Sequence, residues 1–275
     1  MSHRRGDAAR DGALPPAPEP LAVPVVDAHC HLDLIGGDVA AVLAAGAEVG
    51  VPRVVTIGVD VPSSRLAAEQ AAEYGAVAAA VAIHPNAAGE ATDDALAEIA
   101  RLAALPHVRA VGETGLDFYR DSADPADQQR SFRAHIAIAK ETGKALVIHD
   151  RDAHAAVLAA LESEGAPERT VFHCFSGDAE LARTCADRGY VMSFAGNVTF
   201  KNAQDLRDAV AVAPLDLLLV ETDAPFLTPM PHRGAPNAPY LVPLTVRAMA
   251  AAKGVDVDEL SAAIAATADR VFGPW

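Results

Sequence analysis

The chain is short of cysteine, of positive charge and of long apolar runs, and each shortage excludes something. Three cysteines in 275 residues, with no paired spacing, cannot build a disulfide framework; they point to free thiols in a reducing, cytoplasmic compartment. No stretch reaches 18 consecutive apolar residues, which argues against a membrane-spanning helix and against a membrane partner. The arginine pair at Arg4 and Arg5 has no apolar segment behind it, so a secretory or twin-arginine signal is a poor reading. Lys and Arg total 22 against 37 Asp and Glu, a net charge of −15. Such a surface repels phosphate backbones and excludes binding along a long duplex by counterion release. Any nucleic-acid role must therefore be local, with cations concentrated at one spot. No linker or low-complexity tract interrupts the chain from residue 21 onward, so one domain is expected over 21–275. Residues 1–20, "MSHRRGDAARDGALPPAPEP", are too rich in Pro, Gly and charge to order and are expected to form a leader. Nothing indicates an obligate protein partner.

What is present is repetition. Eight apolar, β-branched runs recur, at 24–29, 53–58, 77–83, 108–113, 145–149, 170–174, 190–194 and 217–222, each followed by a helix-like segment. In "TDDALAEIARLAAL" Thr92 can cap, Asp93 and Asp94 suit the positive helix end, and Leu96, Ile99 and Ala103 line one face. In "DQQRSFRAHIAIAKETGK" Phe132, Ile136 and Ala139 share a stripe that Gly143 can end. Near the C-terminus Asp256 and Glu259 have capping-box spacing and Gly273 is a stop. Strand then helix, eight times over about 250 residues, is the pattern of an α/β protein of the (β/α)8 TIM-barrel class. The alternative is an open doubly wound sheet.

In such a barrel the C-terminal strand ends share one mouth. Here those ends are polar. The first carries His29 and His31, the third His84, the fourth Glu113, the fifth His149, the sixth His173, and the eighth Glu221 and Asp223. Residues i and i+2 of a strand face the same way, so His29 and His31 can hold one ion while Cys30 points elsewhere. Four histidines and two carboxylates exceed what one ion needs. They suit two divalent cations about 3.5–4 Å apart. His29, His31 and Asp223 are assigned to one, His149 and His173 to the other, and Glu113 to both. Such a pair lowers the pKa of water and neutralises an anionic substrate oxygen; Asp223 is also placed to accept a proton.

Any one of these histidines has a structural reading, but six such residues at five strand ends do not share it by coincidence. His135 falls on the apolar stripe of its helix and reads as a core or boundary residue. His3, His107, His154 and His232 have no strand-end placement and read as structural or surface groups. Cys30 and Cys174 adjoin expected ligands but have the wrong strand parity to join them.

The segments "DAHCHLD", "AIHPN", "VGETGLDFYR", "VIHDRDA", "VFHCFSG" and "ETDAPFLTP" stand in the order and spacing of the TatD family of metal-dependent deoxyribonucleases, which this chain resembles from about residue 24 to 273. The resemblance implies an amidohydrolase-like barrel with a two-metal site that hydrolyses phosphodiesters, commonly as a 3′ to 5′ exonuclease on single-stranded DNA or RNA. Motif by motif it carries the metal-ligand role to His29, His31, Glu113, His149, His173 and Asp223. It carries a phosphate-facing role to His84. Where many relatives have Glu in "RGxxNEP", this chain has "RGAPNAP" with Ala238; Arg233 is kept as a phosphate contact.

An exonuclease need grip only a strand's last nucleotides, which reconciles the reading with an acidic chain. Arg120, Arg151, Lys201 and Arg233 lie after strand ends or in loops of the same face and form a candidate positive rim for substrate. Phe118, Tyr119 and Phe200 are candidates to stack on bases. Imidazole ligands favour Zn2+, Mn2+ or Fe2+, and the family habit favours Mg2+. Activity is expected with Mg2+ or Mn2+, with Zn2+ as a further occupant. Two other classes remain: a metal-dependent amidohydrolase or lactonase acting on a small molecule, and a non-catalytic metal-binding scaffold. Many amidohydrolases bridge their metals with a carboxylated Lys near strand 4. Glu113 holds that place here, and Lys140 and Lys144 precede strand 5.

Overall fold

A computed structural model describes residues 13–273. Eight parallel strands follow one another around a single sheet in chain order. They are β1 (Val26–Cys30), β2 (Arg53–Ile57), β3 (Val77–Val81), β4 (Val108–Asp117), β5 (Ala145–Arg151), β6 (Thr170–Phe172), β7 (Val191–Phe194) and β8 (Leu218–Val220). Helices or helical turns separate them, and the sheet curls into a nearly closed (β/α)8 TIM barrel. The strands are buried on both faces, as parallel strands under a coat of helices must be, and so read as near-continuous apolar runs.

The helix ends follow from local chemistry. Thr92 accepts the Ala95 amide at the head of Asp93–Ala103, and Ile99, Leu102 and Ala103 form its buried face. Pro125 opens Pro125–Thr142, and Gly143 ends it in the left-handed region at φ 64°. The box expected at Asp256 and Glu259 is not formed: the Asp256 side chain accepts the amide of Asp258 instead, a simple cap one residue short of Glu259. A complete box sits instead at Asp60 and Ser63, where the Asp60 carboxylate accepts the Ser63 amide and the Ser63 hydroxyl accepts the Asp60 amide. Ser63, two atoms shorter in reach than Glu, closes the loop from the N3 position.

The expected unordered leader does not extend through residue 20. Residues 1–12 lie outside the described chain, but Pro15 is buried, its carbonyl accepting the Tyr240 hydroxyl at 2.7 Å. Arg247 donates to the carbonyls of Glu19 and Pro20. The segment from 13 to 20 is thus fixed by its backbone oxygens, a means composition does not reveal.

Two contacts position the site. Strands β4 and β5 pair from Ala110–Ala145 to Asp117–Arg151, with a register shift between Val111 and Thr114. Gly112 and Gly115 straddle Glu113; a Cβ on Gly112 would strike Val147, and one on Gly115 the His149 carbonyl. The strands can approach this closely only because both positions are glycine. The barrel seam between β8 and β1 is different. Beyond a single bridge, Cys30–Ala224, it is joined by the Asp27 side chain. Asp27 Oδ1 accepts the Thr222 amide at 2.9 Å and Oδ2 accepts the Thr222 hydroxyl at 2.6 Å. Asp223 N donates to the His29 carbonyl, and His31 N to that of Ala224.

Candidate metal centre

Each expected ligand sits at the C-terminal mouth. His29 is on β1 and His31 just past it; Glu113 is within β4 and His149 within β5. His173 and Asp223 lie beyond the shortened ends of β6 and β8, so strand alternation does not place them. Backbone conformation does: Asp223 takes φ 51°, and Cys174, after His173, takes φ 42°. Non-glycine residues rarely adopt this region, and such strain gathers at functional sites.

Three groups of side chains bring one ligand atom each within 4.8 Å of one another: His29, His31 and Asp223; His29, His173 and Glu221; and His84, Glu113 and His149. The first is the expected first set. The expected second set is divided between the other two groups, although Glu113 Oε1 spans it, 2.7 Å from His149 Nδ1 and 2.8 Å from His173 Nε2. His84 joins this centre too, with Nε2 3.3 Å from Glu113 Oε1 and Nδ1 accepting the Asn86 amide.

The middle of the site is His29. It is fully buried, and neither ring nitrogen has a hydrogen-bond partner. Nε2 stands 3.5 Å from Glu113 Oε2 and 3.8 Å from Asp223 Oδ1, and the ring stacks on His173 at 3.8 Å. Burial and the His173 ring lower its pKa, keeping the neutral form that coordinates metal. A buried imidazole with both nitrogens orphaned costs on the order of 1–3 kcal/mol for each lost partner. Nature tolerates that where a ligand repays it, and a divalent cation among carboxylates fits this donor set.

Around His29 the charges are set by pairing. Burial would raise Glu113, but the His173 and His84 rings and hydrogen bonds from His149 and His173 outweigh it and hold the carboxyl well below its usual range. Burial would lower His173, but Glu113 and Glu221 keep it well above its ordinary value. His31 and His149 are likewise raised against burial, the first by Asp223 and the second by Asp117 and Glu113.

Three residues were missed or misjudged from sequence. Asp117 touches His149 Nε2 at 3.1 Å through Oδ2, while Oδ1 accepts the amides of Tyr119 and Arg120. Glu221, noted as a strand ending but given no role, receives His173 Nδ1 and the Cys174 amide on Oε1, both at 3.0 Å. Its Oε2 is buried and unpartnered. Asp27 is the seam side chain; burial raises it to about 7 against the donors from Thr222 and His29. The "DxHxH" spacing was the available signal for Asp27, since residues 27, 29 and 31 share one parity.

Of the remaining histidines, His135 lies in the core, as its place on the apolar stripe implied. Its Nδ1–H donates to the Ser131 carbonyl at 2.7 Å and its Nε2 accepts the Ile83 amide at 3.1 Å. It pins the helix Pro125–Thr142 beside His84. His154 pairs with Asp150 at 2.7 Å, a contact sequence gave no reason to expect. His107 precedes β4, and His3 lies outside the described residues. Neither Cys30, whose thiol faces the Val55 carbonyl, nor Cys174 joins a metal group among the described residues.

On the rim, Arg151 lies 4.5 Å over the Tyr119 ring and Arg233 4.2 Å over that of Phe200. Arg120 and Lys201 are exposed beside them. Ala238 is 4 % exposed and belongs to the core, while Asn237 ties its loop to the carbonyls of Thr222 and Phe226. Lys140 and Lys144 donate to backbone carbonyls away from the mouth, the first to Glu164 and the second to Leu105 and Val108.

The family model described as TatD related DNase matches residues 26–273. The chain belongs to the TatD family of metal-dependent hydrolases. It is similar to a Mycobacterium tuberculosis protein named "Uncharacterized metal-dependent hydrolase TatD", 46% identical over 90% of this chain and 98% of the relative. It is 36% identical to an Erwinia amylovora protein named "3'-5' ssDNA/RNA exonuclease TatD", over 70% of this chain and 76% of that one. Among solved structures, the TatD homologue YJJV of Escherichia coli superposes with a TM-score of 0.86 at 27% identity, covering 91% of this chain and 98% of that one. The chain is accordingly a metal-dependent hydrolase, and its clustered His, Glu and Asp side chains are able to bind metal. Among the described residues no helix is long and apolar enough to cross a membrane.

Proposed function

We propose that this TatD protein hydrolyses phosphodiester bonds at the ends of single-stranded DNA or RNA, using two divalent cations, Mg2+ or Mn2+ in turnover. The observation that carries the reading is His29: a buried imidazole without hydrogen bonds, flanked by Glu113 and Asp223, at the meeting point of histidines from β1, β5 and the β6 end. His29, His31 and Asp223 would hold one cation, His149 and His173 the other, and Glu113 both. When bound, the cations supply acidity to water and positive charge to a phosphoryl oxygen.

The chain's own residues do the rest. Asp223, less buried than Glu113 and next to His31, is placed to take a proton from the attacking water. Glu221 holds His173 through Nδ1 and so aims Nε2 inward. His84, Arg120, Arg151 and Arg233 face incoming phosphate. The Erwinia relative's name supports single-stranded DNA and RNA as the substrates. Against an amide or lactone substrate, both lysines near β5 are engaged with backbone carbonyls away from the mouth.

The test is incubation of the pure protein with end-labelled single-stranded and duplex oligonucleotides in Mg2+ or Mn2+. Mononucleotide release from single strands, stopped by chelator, is expected. No release across a range of divalent ions, or faster cleavage of lactones and amides, overturns the reading.

A further inference from the structure

Among the described residues four large apolar side chains are exposed: Leu14, Leu66, Phe118 and Tyr119. Two of the four are consecutive, Phe118 at 45% and Tyr119 at 65% exposure, and they directly follow β4 at the barrel mouth. Large apolar side chains exposed at neighbouring positions beside a polar mouth mark a place where a ligand can dock.

The segment that displays them is tightly held. Phe118 N donates to the Arg151 carbonyl at 2.9 Å. Tyr119 N and Arg120 N both donate to Asp117 Oδ1. Gln128 fixes Asp117 in turn, accepting its amide at 2.8 Å and donating to its carbonyl at 3.1 Å. The other oxygen of Asp117 meets His149 at 3.1 Å, so one carboxylate sets both the aromatic loop and a residue of the metal centre. The Arg151 guanidinium, two residues beyond His149, lies 4.5 Å from the centre of the Tyr119 ring.

A preorganised aromatic surface carrying a cation, on a chain of net charge −15, suits a ligand that offers a flat π face beside a negative charge. A nucleobase with its phosphate is such a ligand. Building on the nuclease reading, we infer that Phe118, Tyr119 and Arg151 form a stacking platform for an unpaired nucleobase near the end of a single-stranded polynucleotide. Arg151 neutralises the adjoining phosphate. Paired bases inside a duplex present no free face, so the platform selects single strands over duplex by requiring an unstacked base. Tyr119 and Phe118 act in substrate binding and not in bond cleavage.

The experiment compares wild type with Tyr119→Ala, Phe118→Ala and Tyr119→Trp, all at exposed positions. Two probes are used: a single-stranded oligonucleotide with intact bases, and the same strand with abasic residues near its end. Tyr119→Ala is expected to raise KM for the intact strand roughly 5- to 100-fold, the range for one lost base stack, with kcat little changed. For the abasic strand, wild type and variant are expected to have KM values within about twofold, and Tyr119→Trp is expected to restore the preference for bases. A 2-aminopurine near the strand end gives a readout independent of turnover: wild type quenches its fluorescence on binding and Tyr119→Ala does not. Equal KM for the intact strand in wild type and Tyr119→Ala, or equal quenching by both, overturns the platform. If no strand is cleaved by any of these proteins, the nuclease reading fails, and the quenching comparison still decides for or against the platform.

Discussion

The barrel brings the proposed ligands together at two places by two different means. Between β4 and β5 the backbone does it: the ladder runs on to Asp117–Arg151, and two glycines let the strands close until Glu113 and His149 touch. At the seam between β8 and β1 the ladder is a single bridge, and the Asp27 carboxylate joins strands 195 residues apart in the chain. The first arrangement depends on the absence of side chains, the second on one side chain. The lesson is that a metal centre shared by many strands needs its most exact contacts where the sheet is either tightest or weakest.

The largest effect is expected at the tight contact. Gly115→Ala puts a Cβ against the His149 carbonyl at a residue with φ of +143°, and should cost about 3 kcal/mol or more, read as a fall in thermal or urea midpoint. At the seam, Asp27→Ala strands the Thr222 and His29 amides and should cost about 2–3 kcal/mol, with loss of hydrolysis because Asp223 is no longer held against His29. If Asp27→Ala proves as stable as wild type, the seam does not depend on that carboxylate.

These contacts differ in how far they can be read from residues alone. The eight strands were legible because buried parallel strands are continuous apolar runs, His29, Glu113 and His149 because they stand on strands where alternation applies, and His31 because it follows β1 by a single residue. β6 and β8 stop at Phe172 and Val220, before His173 and Asp223, whose placement rests on left-handed backbone nearby. Asp117 and Glu221 were not legible as partners of His149 and His173, nor Thr222 as the partner of Asp27, whose own place the spacing to His29 and His31 signals: each contact is tertiary, and local spacing names no partner. Tyr240 and Arg247 hold the segment from 13 to 20 in the same unreadable way.

A pH measurement sharpens the β4 side. Burial lowers His135 from its ordinary 6.5 to about 4, so below pH 6.5 the unfolded chain binds a proton the folded chain refuses. Stability from this group is complete above pH 6.5 and falls toward pH 4, by about 2 kcal/mol at pH 5. His135→Gln should be less stable than wild type at pH 7, with the gap narrowing at pH 5 in urea titrations. A gap that stays constant would remove His135 from the account. The smallest effect belongs to the seam side: Glu221→Gln keeps an acceptor for His173 but loses the charge, and should weaken metal affinity about tenfold. Unchanged affinity by calorimetry would make Glu221 a packing residue only.

The most direct test is calorimetric titration of the metal-stripped protein with Mn2+, followed by the same titration of His29→Ala. The account predicts two equivalents bound by the native chain, and a clear loss of binding once the unpartnered imidazole is gone. Failure of the native chain to bind a divalent ion, or the same isotherm for both proteins, would contradict it.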